Sequence, residues 1–494
     1  IYPHKSDWDN LATLTGDASW SDDNMRKYFE RLEHCQYVDM PGTTGSNPTR
    51  HGFGGWLTTM TADPKLVVGD RSLKKLIRAT LRESIFKVDG FLSRVKLKLK
   101  GHLDPNDWRW RSAGKSPEGL VFTPLSVNEG KRVGTREYIR RVQQACPNNL
   151  TIQMGALVQR VVFETDPDGT KRAVGVEYLE GQHLYRADPN ANPIPNSGTS
   201  RIVRCRRELI LSGGAFNTPQ MLMLSGVGPR AELEKRGIEV HVDLPGVGQN
   251  LQDHIDTWIK QKSLSRITYG ITWPVLHKNI AHVLKWAFAR RGAFTCNSAE
   301  AGGFIKSHEG AERPDLQLFF CPTIASAQAA DSFFTHGWSM HATDLRPYSR
   351  GHVGLHSSDP FEAPLIQHNF CQDDRDMQNL VRGVHIMRKI TDQPAFRDHA
   401  AEELAPGRDV QSDGDIRNYI KANNMSMYHP TSPCKMATDK MAVTDPASLR
   451  VHGIDGLRVI DASVFPAVTS GNTMAPTVAV AEKGADLIKA DHRG

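Results

Sequence analysis

A short apolar stretch followed by one serine and two glycines constrains the fold of this 494-residue chain more than any other feature. Leu209-Ile210-Leu211 predicts a buried strand that ends at Ser212-Gly213-Gly214, and a helix is predicted beyond it with Pro219 in its first turn. Two small residues after a strand let the backbone turn tightly against a flat ligand or a neighbouring helix. An ordinary strand–turn–helix unit has the same pattern, so periodicity alone does not decide between the two.

A chain of this length is too long for one simple core, so two domains are expected. The hydrophobic fraction of 39 % indicates a globular α/β or α+β protein. The net charge of +6 is spread without a long Lys/Arg run, which argues against a nucleic-acid partner. Lys96 to Lys100 alternates as a strand with one solvated face would. No apolar run approaches 18 residues, so no membrane span is expected.

The seven cysteines are scattered, without a CxxC motif or a Cys/His cluster, so no metal site is predicted. Their odd number argues against a fully paired disulfide framework, although one bridge remains open. Two glycosylation sequons begin at Asn149 and Asn424 and would matter only in a secreted glycoprotein. The sequence does not decide the location, with an extracellular one favoured.

Local patterns predict several elements along the chain. Helices are predicted from Asp22 to about Glu33, with Ser21 as the cap, from Gly134 to about Gln144, from Asp373 to Thr391 and from about Thr473 to Lys489. A hairpin turns at residues 166–169, residues 346–356 form a turn and then a strand, and a further strand covers 457–460. Residues 36–60 are expected to be a loop. Within them, 51–56 superficially look like a dinucleotide loop, but they follow no strand and lack the third glycine, so we reject that interpretation.

Five motifs together resemble one family. They are Gly214 to Gly228, Gly246 to His254, Tyr428 to Met436, Asp455 to Ser463 and Ser470 to Thr473. In residue types and spacing they resemble the glucose–methanol–choline (GMC) flavoprotein oxidoreductases, nearest to the choline-dehydrogenase and aryl-alcohol-oxidase branches. The resemblance implies a two-domain fold, α/β plus α+β. A discontinuous FAD-binding domain would comprise residues 1–35, 130–255 and 441–494, and a substrate-binding domain with an antiparallel sheet and helices would comprise 36–129 and 256–440.

The resemblance also implies roles for individual residues. His429 would be the catalytic base near flavin N5, and Asn472 the second member of the catalytic pair. FAD would be bound by Val158, Gly214, Asp461, Ala462, Asn472, Thr473 and Met474. The helix after Asn472 would point its positive end at the flavin, where it can stabilise the negative charge that builds during reduction. A neutral imidazole suits the role of base, because an alcohol gives up hydride more readily as its O–H proton leaves.

Two features depart from the family pattern. Ser432-Pro433 stands where relatives commonly have Gly or Ala followed by Thr or Ser, so the geometry of the loop after His429 is in question. In addition, Tyr2 to Asp9 resembles the stretch that follows the flavin loop of the family. We therefore expect the dinucleotide loop on a second polypeptide, an N-terminal fragment of the same protein, or else on a longer form of this chain.

The implied function is FAD-dependent oxidation of an alcohol, with oxygen or a quinone as electron acceptor. An aryl or primary alcohol is the first expectation for the substrate and a carbohydrate the second. Glu300 would hold a cationic substrate such as choline if it points into the pocket, but its glycine-rich neighbourhood suits a structural role as well. Two alternatives stay open, namely a lyase that holds FAD without turning it over, such as a hydroxynitrile lyase, and a catalytically silent FAD-binding protein.

Overall fold

The computed structural model describes residues 1–42, 45–61, 104–112, 118–191, 198–264, 276–290, 295, 301–324 and 336–492. The α-helices in this part of the chain are α1 (Lys5–Thr15), α2 (Asp22–Leu32), α3 (Arg109–Ser112), α4 (Thr135–Ala145), α5 (Gly214–Leu224), α6 (Arg230–Glu234), α7 (Leu276–Ala289), α8 (Asp374–Thr391), α9 (Pro394–Arg397), α10 (Asp413–Asn423) and α11 (Met474–Asp491). Two 3₁₀ helices cover Ala18–Trp20 and Ala462–Val464.

The strands, in chain order, are β1 (Glu33–Cys35), β2 (Leu57–Thr61), β3 (Gly119–Phe122), β4 (Pro124–Leu125), β5 (Val127–Asn128), β6 (Lys131–Arg132), β7 (Ala156–Thr165), β8 (Lys171–Glu180), β9 (Thr199–Arg204), β10 (Leu209–Leu211), β11 (Val227–Gly228), β12 (Val242–Asp243), β13 (Gln249–Leu251), β14 (Ile255–Ser263), β15 (Ala301–Ile305), β16 (Leu316–Cys321), β17 (Gly337–Asp344), β18 (Gly351–Gly354), β19 (Leu365–Gln367), β20 (Ala400–Ala405), β21 (Met425–Ser426), β22 (Ile454–Asp455) and β23 (Leu457–Val459).

One sheet of seven strands combines β3 from the first half of the chain with six strands from the second half. Its order is β20-β14-β17-β16-β15-β3, with β21 also paired to β14, and its pairs are antiparallel. Helix α8 has Met377, Leu380 and Val384 at helical spacing, and these side chains share an apolar cluster with Ile259 and Trp338 of the sheet. The predicted antiparallel sheet with helices is therefore present.

A second apolar cluster joins the two ends of the chain. Strand β10 pairs in parallel with β23, although 246 residues separate Leu211 from Leu457. Trp8 of α1, Leu222 of α5 and Val480 of α11 are buried in the same cluster. A long hairpin of β7 and β8 turns at Asp166 to Gly169, and β22 extends the sheet that it forms. This cluster supports the segments to which cofactor contacts were assigned.

The local predictions succeeded for most elements. Helices α2, α4, α8 and α11 begin and end within about two residues of their expected bounds, and the hairpin turn and strand β23 are in place. Strand β18 likewise follows the expected turn. Residues 62–103, and with them Lys96 to Lys100, lie outside the described residues, as does Glu300. The proposed domain boundaries stay a prediction.

Three local predictions were wrong. Helix α5 begins at Gly214, so Pro219 lies in its second turn, where its missing N–H costs the helix one hydrogen bond. The expected buried strand β10 is buried on one face only, because Ile210 is 41 % exposed. The expected loop of residues 36–60 contains most of β2, which pairs with β1 and β4, because pairing with strands elsewhere in the chain outweighs its glycine-rich flank.

Two further observations concern the described residues as a set. None of their helices has both the length and the apolar character needed to cross a lipid bilayer. The six cysteines among them form no disulfide with one another.

Candidate active site

His429 lies in a loop that backbone pairing holds against the large sheet. Strand β21 pairs with β14 through Ser426 and Ile255, and the N–H of Met427 donates to the carbonyl of His254 at 3.0 Å. Tyr428 then adopts a φ of 59°, in the left-handed region. The backbone turns there so that Tyr428 is 79 % exposed while His429 is buried.

The side chain of Asp253 accepts two hydrogen bonds from this loop. The N–H of His429 donates to Oδ1 of Asp253 at 3.0 Å, and the hydroxyl of Ser426 donates to its Oδ2. Burial raises the pKa of Asp253 to about 6, although the hydrogen bonds that it accepts act in the opposite direction. The backbone of His429 is thus attached to the residue that directly precedes His254.

The imidazole of His429 has a partner on each nitrogen. Its Nδ1 lies 2.9 Å from Nδ1 of His254, and its Nε2 lies 3.2 Å from Nδ2 of Asn472. Because the amide nitrogen of asparagine only donates, Nε2 of His429 is the acceptor in that contact. The predicted pair of His429 and Asn472 is therefore brought together, and His254 is added to it.

His429 is neutral in this environment. Burial lowers its pKa to about 4, because a charged imidazolium would lose its hydration there. At neutral pH the ring therefore keeps one unprotonated nitrogen, as a general base requires.

Asn472 is positioned by a buried carboxylate from the other end of the chain. Oδ2 of Asp7 accepts the N–H of Ser470 at 3.0 Å, and its Oδ1 pairs with Nη2 of Arg346 at 2.8 Å. Burial opposes the charge on Asp7, but Arg346 and the Ser470 hydrogen bonds outweigh it and keep the pKa of Asp7 below its usual value. Gly471 follows with a φ of 76°, a conformation suited to glycine, and Asn472 comes next.

Asp461 joins two of the segments assigned to the cofactor. Its Oδ2 accepts the Gly214 N–H at 2.8 Å and the Thr218 hydroxyl at 2.6 Å. Its Oδ1 accepts the N–H of Ser463 at 2.7 Å and the hydroxyl of the same residue. Both carboxylate oxygens are therefore occupied within the protein, and the side chain connects α5 to the 3₁₀ helix that follows.

Ala462 connects this region to the loop of His429. Its carbonyl accepts the N–H of Ser432 at 3.1 Å, and the next carbonyl, of Ser463, accepts the N–H of Cys434 at 2.9 Å. The two segments thus run side by side, although the sequence places them about thirty residues apart.

The residues at this site fit a flat cofactor with negative charge. A Cβ built on Gly214, whose φ is 81°, would meet no atom within 4 Å, so open space faces this glycine. Helix α11 begins at Met474 after Thr473, and no side chain caps its N-terminus, which leaves the positive end of the helix dipole available to an anionic group. Pro476 lies in its first turn, as expected.

Val158 lies apart from the other predicted cofactor residues. It is on β7 next to a bulge that ends at Arg160, and the Val161 N–H donates to Oγ of Ser225 beyond the C-terminal end of α5. Gly214 begins the same helix, so α5 connects Val158 to the rest of the site. The individual FAD contacts of these residues stay predictions.

One cluster outside this site has ligand atoms close enough for a metal ion. Side-chain atoms of Glu33, Cys35 and His51 lie within 4.8 Å of one another. However, His51 Nδ1 contacts Glu33 at 3.0 Å and its Nε2 contacts Asp104 at 2.9 Å, so both ring nitrogens are already occupied by carboxylates. The cluster is therefore an ion network in this structure. His51, the first residue of the rejected dinucleotide-like segment, thus has a structural role.

The sequence-based reasoning missed His254, Asp253 and Asp7. The first two end the Gly246–His254 motif, which was recognised as a family segment without a role for either side chain. Their function depends on a contact with a residue more than 170 positions away. Asp7 had no local signal at all, since it acts on a residue 463 positions away.

Comparisons with known proteins identify the family to which the chain is similar. The N-terminal GMC oxidoreductase family model matches residues 1–256, and the C-terminal one matches residues 347–481. Alcohol dehydrogenase (acceptor) of Pseudomonas putida is 37 % identical over 490 residues, which cover 99 % of this chain and 79 % of that protein. Oxygen-dependent choline dehydrogenase of Pseudomonas savastanoi pv. phaseolicola is 38 % identical over 388 residues, and the match covers 77 % of this chain and 62 % of that enzyme.

The fold has relatives among solved structures. Pyridoxine 4-oxidase from Mesorbium loti superposes with a TM-score of 0.75 at 22 % sequence identity, over 100 % of this chain and 82 % of that one. None of these matches supports the expected separate N-terminal polypeptide, secretion or glycosylation, which all stay predictions.

Proposed function

Because the chain belongs to the GMC oxidoreductase family, which uses FAD, we propose that it oxidises an alcohol by hydride transfer to FAD with His429 as the base. The observation that carries this proposal is the buried, neutral imidazole of His429, whose Nε2 lies 3.2 Å from the amide nitrogen of Asn472.

The protein contributes the proton acceptor. Bound FAD would supply the hydride acceptor, which no amino-acid side chain can replace. Nε2 of His429 takes the hydroxyl proton while the carbon of the alcohol loses hydride, so that the alcohol loses two electrons and two protons in total and becomes a carbonyl compound. Oxygen or a quinone then takes the electrons. The depressed pKa of His429 keeps the ring in its proton-accepting form at neutral pH.

Asn472 and helix α11 can interact with the substrate oxygen and with negative charge on the cofactor, although neither carries a full charge of its own. In the structure Nδ2 of Asn472 contacts Nε2 of His429, and when the hydroxyl of an alcohol takes its place at Nε2, Nδ2 would donate to the alcohol oxygen and orient it toward His429. The uncapped N-terminus of α11 offers N–H groups and a positive dipole end to negative charge on the cofactor. These roles agree with the positions of Thr473 and Met474 at the start of that helix.

For the substrate we propose a primary or aryl alcohol first and a carbohydrate second. The two curated relatives are named for an alcohol and for choline, and choline carries a primary hydroxyl. Glu300, which would hold a cationic alcohol if it points into the pocket and which suits a structural role as well, lies outside the described residues.

The test is anaerobic flavin reduction, followed at the visible absorption band, with benzylic alcohols, aliphatic alcohols, choline and sugars. His429→Ala should slow reduction by roughly a hundredfold or more while FAD stays bound, because a general base contributes about that much. Asn472→Ala should have a smaller effect. His385→Ala on α8 and Asn190→Ala in the segment between β8 and β9 are matched controls, because both side chains are exposed and far from His429 and Asn472 in sequence.

The outcomes separate the alternatives. A lyase or a catalytically silent homologue would leave the flavin band unbleached with every alcohol. Reduction at the unchanged rate in His429→Ala would refute the role of His429. Fast reduction by a sugar and none by aryl alcohols would reverse the order of substrates.

A further inference from the structure

We propose that His254 is a positioning residue for His429, which accepts the Nδ1 proton of His429 and so keeps the Nε2 lone pair of His429 directed at the substrate. This inference rests on the proposed function of His429 as the base. It concerns a residue that touches neither the substrate nor the cofactor in the proposed reaction.

The geometry allows one hydrogen bond between the two rings and little else. The two Nδ1 atoms lie 2.9 Å apart, and the ring planes are nearly perpendicular, at 87°, with centroids 5.1 Å apart. His254 is fully buried and His429 is 7 % exposed, so water does not compete at this contact. A hydrogen bond between two neutral rings requires that one Nδ1 carries a proton and the other does not.

The contacts on the far sides of the rings select the direction of that bond. Nδ2 of Asn472 donates to Nε2 of His429, so the single proton of neutral His429 is on Nδ1. Nδ1 of His254 is then the acceptor, and the proton of His254 is on Nε2. The carbonyl of Leu345 faces the ring of His254 and favours its protonation, although Nε2 has no partner within hydrogen-bonding geometry among the described residues.

A hydrogen bond in the reverse direction, donated by His254 to His429, would prevent His429 from acting as the base. If His254 donated, the proton of His429 would be on Nε2 and would face the amide protons of Asn472 at 3.2 Å. The lone pair of His429 would then point at His254 and away from the alcohol. A fixed partner on one imidazole nitrogen is a general means of setting the tautomer of a catalytic histidine.

His254 differs from a carboxylate partner because it is neutral. Burial lowers the pKa of His254 well below its ordinary value, and the neighbouring His429 and Arg346 act in the same direction. Other titratable groups near the two rings include the N-terminal amino group, which also lowers the pKa of His429, Asp253, which holds the loop backbone, and His368, whose Nδ1 lies 3.7 Å from that carboxylate. A neutral acceptor orients the ring of His429 without drawing its proton away, so the expected contribution is tautomer and ring orientation.

The backbone of His254 is fixed independently of its ring. Its carbonyl accepts the N–H of Met427, and the strand that follows it, β14, is paired on both sides. A substitution of the ring therefore leaves the main-chain support of the loop in place, and this makes a side-chain test possible.

The experiment compares His254→Asn with His254→Leu, two side chains of similar size. The Oδ1 of asparagine can take the place of the Nδ1 acceptor, whereas leucine removes it. We expect His254→Leu to slow anaerobic flavin reduction by roughly a hundredfold and His254→Asn by less than about tenfold, with FAD retained in both. Thr257→Val on β14 is the control, since it alters a buried side chain whose hydroxyl has no hydrogen-bond partner among the described residues.

A second readout does not depend on activity. In protein labelled with ¹⁵N in the histidine rings, the signals lost in His429→Ala identify His429. We expect these signals to report a protonated Nδ1 and a bare Nε2 in the wild type and in His254→Asn, and a mixture of tautomers in His254→Leu. If His254→Leu fails to fold, the wild-type spectrum and His254→Asn still decide.

The inference is overturned if the wild-type proton of His429 is on Nε2, or if His254→Leu reduces flavin at the wild-type rate while His429→Ala does not. A purely structural role predicts equal losses in His254→Asn and His254→Leu, which also overturns it. If flavin is reduced at the normal rate in His429→Ala, the proposed role of His429 as the base is wrong, and this result is distinct from a failure of the inference about His254.

Discussion

At the scale of single residues, the loop beyond His429 contains a strained position. Ser432 is fully buried and adopts a φ of 87°, a conformation that glycine adopts at no steric cost. The sequence marked this position as unusual because relatives commonly carry Gly or Ala there. In the structure the left-handed φ of Ser432 accompanies a backbone contact, in which the N–H of Ser432 donates to the carbonyl of Ala462 at 3.1 Å.

Ser432→Gly should therefore stabilise the protein, by about 1 kcal/mol, because it relieves the left-handed strain at this position. Urea unfolding of the protein as purified measures the change. Ser432→Ala is the matched control, because it removes the same hydroxyl and keeps the strained Cβ. A glycine variant less stable than the alanine variant would contradict this interpretation.

At the scale of elements, the two short parallel strands β1 and β2 are held by a buried ion network. Glu33 of β1 and Asp104 flank the ring of His51, and Glu33 also accepts the hydroxyl of Thr59 on β2 at 2.7 Å. Burial opposes a charge on His51, but hydrogen bonds to Asp104, Cys35 and Glu33 outweigh it and raise its pKa to about 11. The network thus contains a permanent imidazolium at neutral pH.

His51→Gln should destabilise the protein at pH 6 by about 3–5 kcal/mol, because the buried carboxylate of Glu33 and the partly buried carboxylate of Asp104 lose their shared cation. The folded-state pKa of His51 lies above the ordinary value of 6.5, so its contribution is complete below pH 6.5 and is lost as the pH rises toward 11. The difference in the free energy of unfolding between wild type and His51→Gln, measured by chemical denaturation, should therefore become smaller as the pH rises over that range. His385→Gln, an exposed histidine paired with Asp413, is the control. A difference in unfolding free energy that increases with pH would contradict a charged His51.

At the scale of the whole molecule, one ion pair ties the N-terminal helix to the far end of the chain and to the large sheet. Asp7 of α1 binds both Ser470, just before Asn472, and Arg346, just after β17. Arg346 also donates to the carbonyl of Pro314 at 2.7 Å. The position of Asn472 therefore depends on residues from three distant parts of the sequence.

Arg346→Met should destabilise the protein by about 3–5 kcal/mol, because Asp7 is left as an unpaired buried carboxylate. The double variant Asp7→Asn/Arg346→Met should recover much of this loss, since it removes both charges. Denaturant unfolding of the single and double variants measures the coupling. Arg375→Met, which breaks an exposed pair with Asp373, should change stability by less than about 1 kcal/mol. Equal losses in the single and double Arg346 variants would show that the charge on Asp7 is not the cause.

The sequence by itself was enough to predict the family, the fold class, the cofactor and most of the elements, and these predictions are confirmed. Helix α2, helix α8 and the β7–β8 hairpin depend on periodicity, caps and turn residues, which are local properties. His429 and Asn472 were found because each lies in a contiguous motif. Pro219 shows the limit of such local predictions. Helix α5 begins about one turn earlier than expected, and the periodicity of the sequence does not distinguish the two starting points.

Only the tertiary structure decided what surrounds those two residues. His254 meets His429 across 175 positions, and Asp7 meets Ser470 across 463. Asp461, predicted to contact the cofactor, turned out to have both carboxylate oxygens occupied by Gly214, Thr218 and Ser463. Hydrogen bonds between residues far apart in sequence leave no periodic signature, because each depends on how strands and loops meet after folding and not on neighbouring side chains.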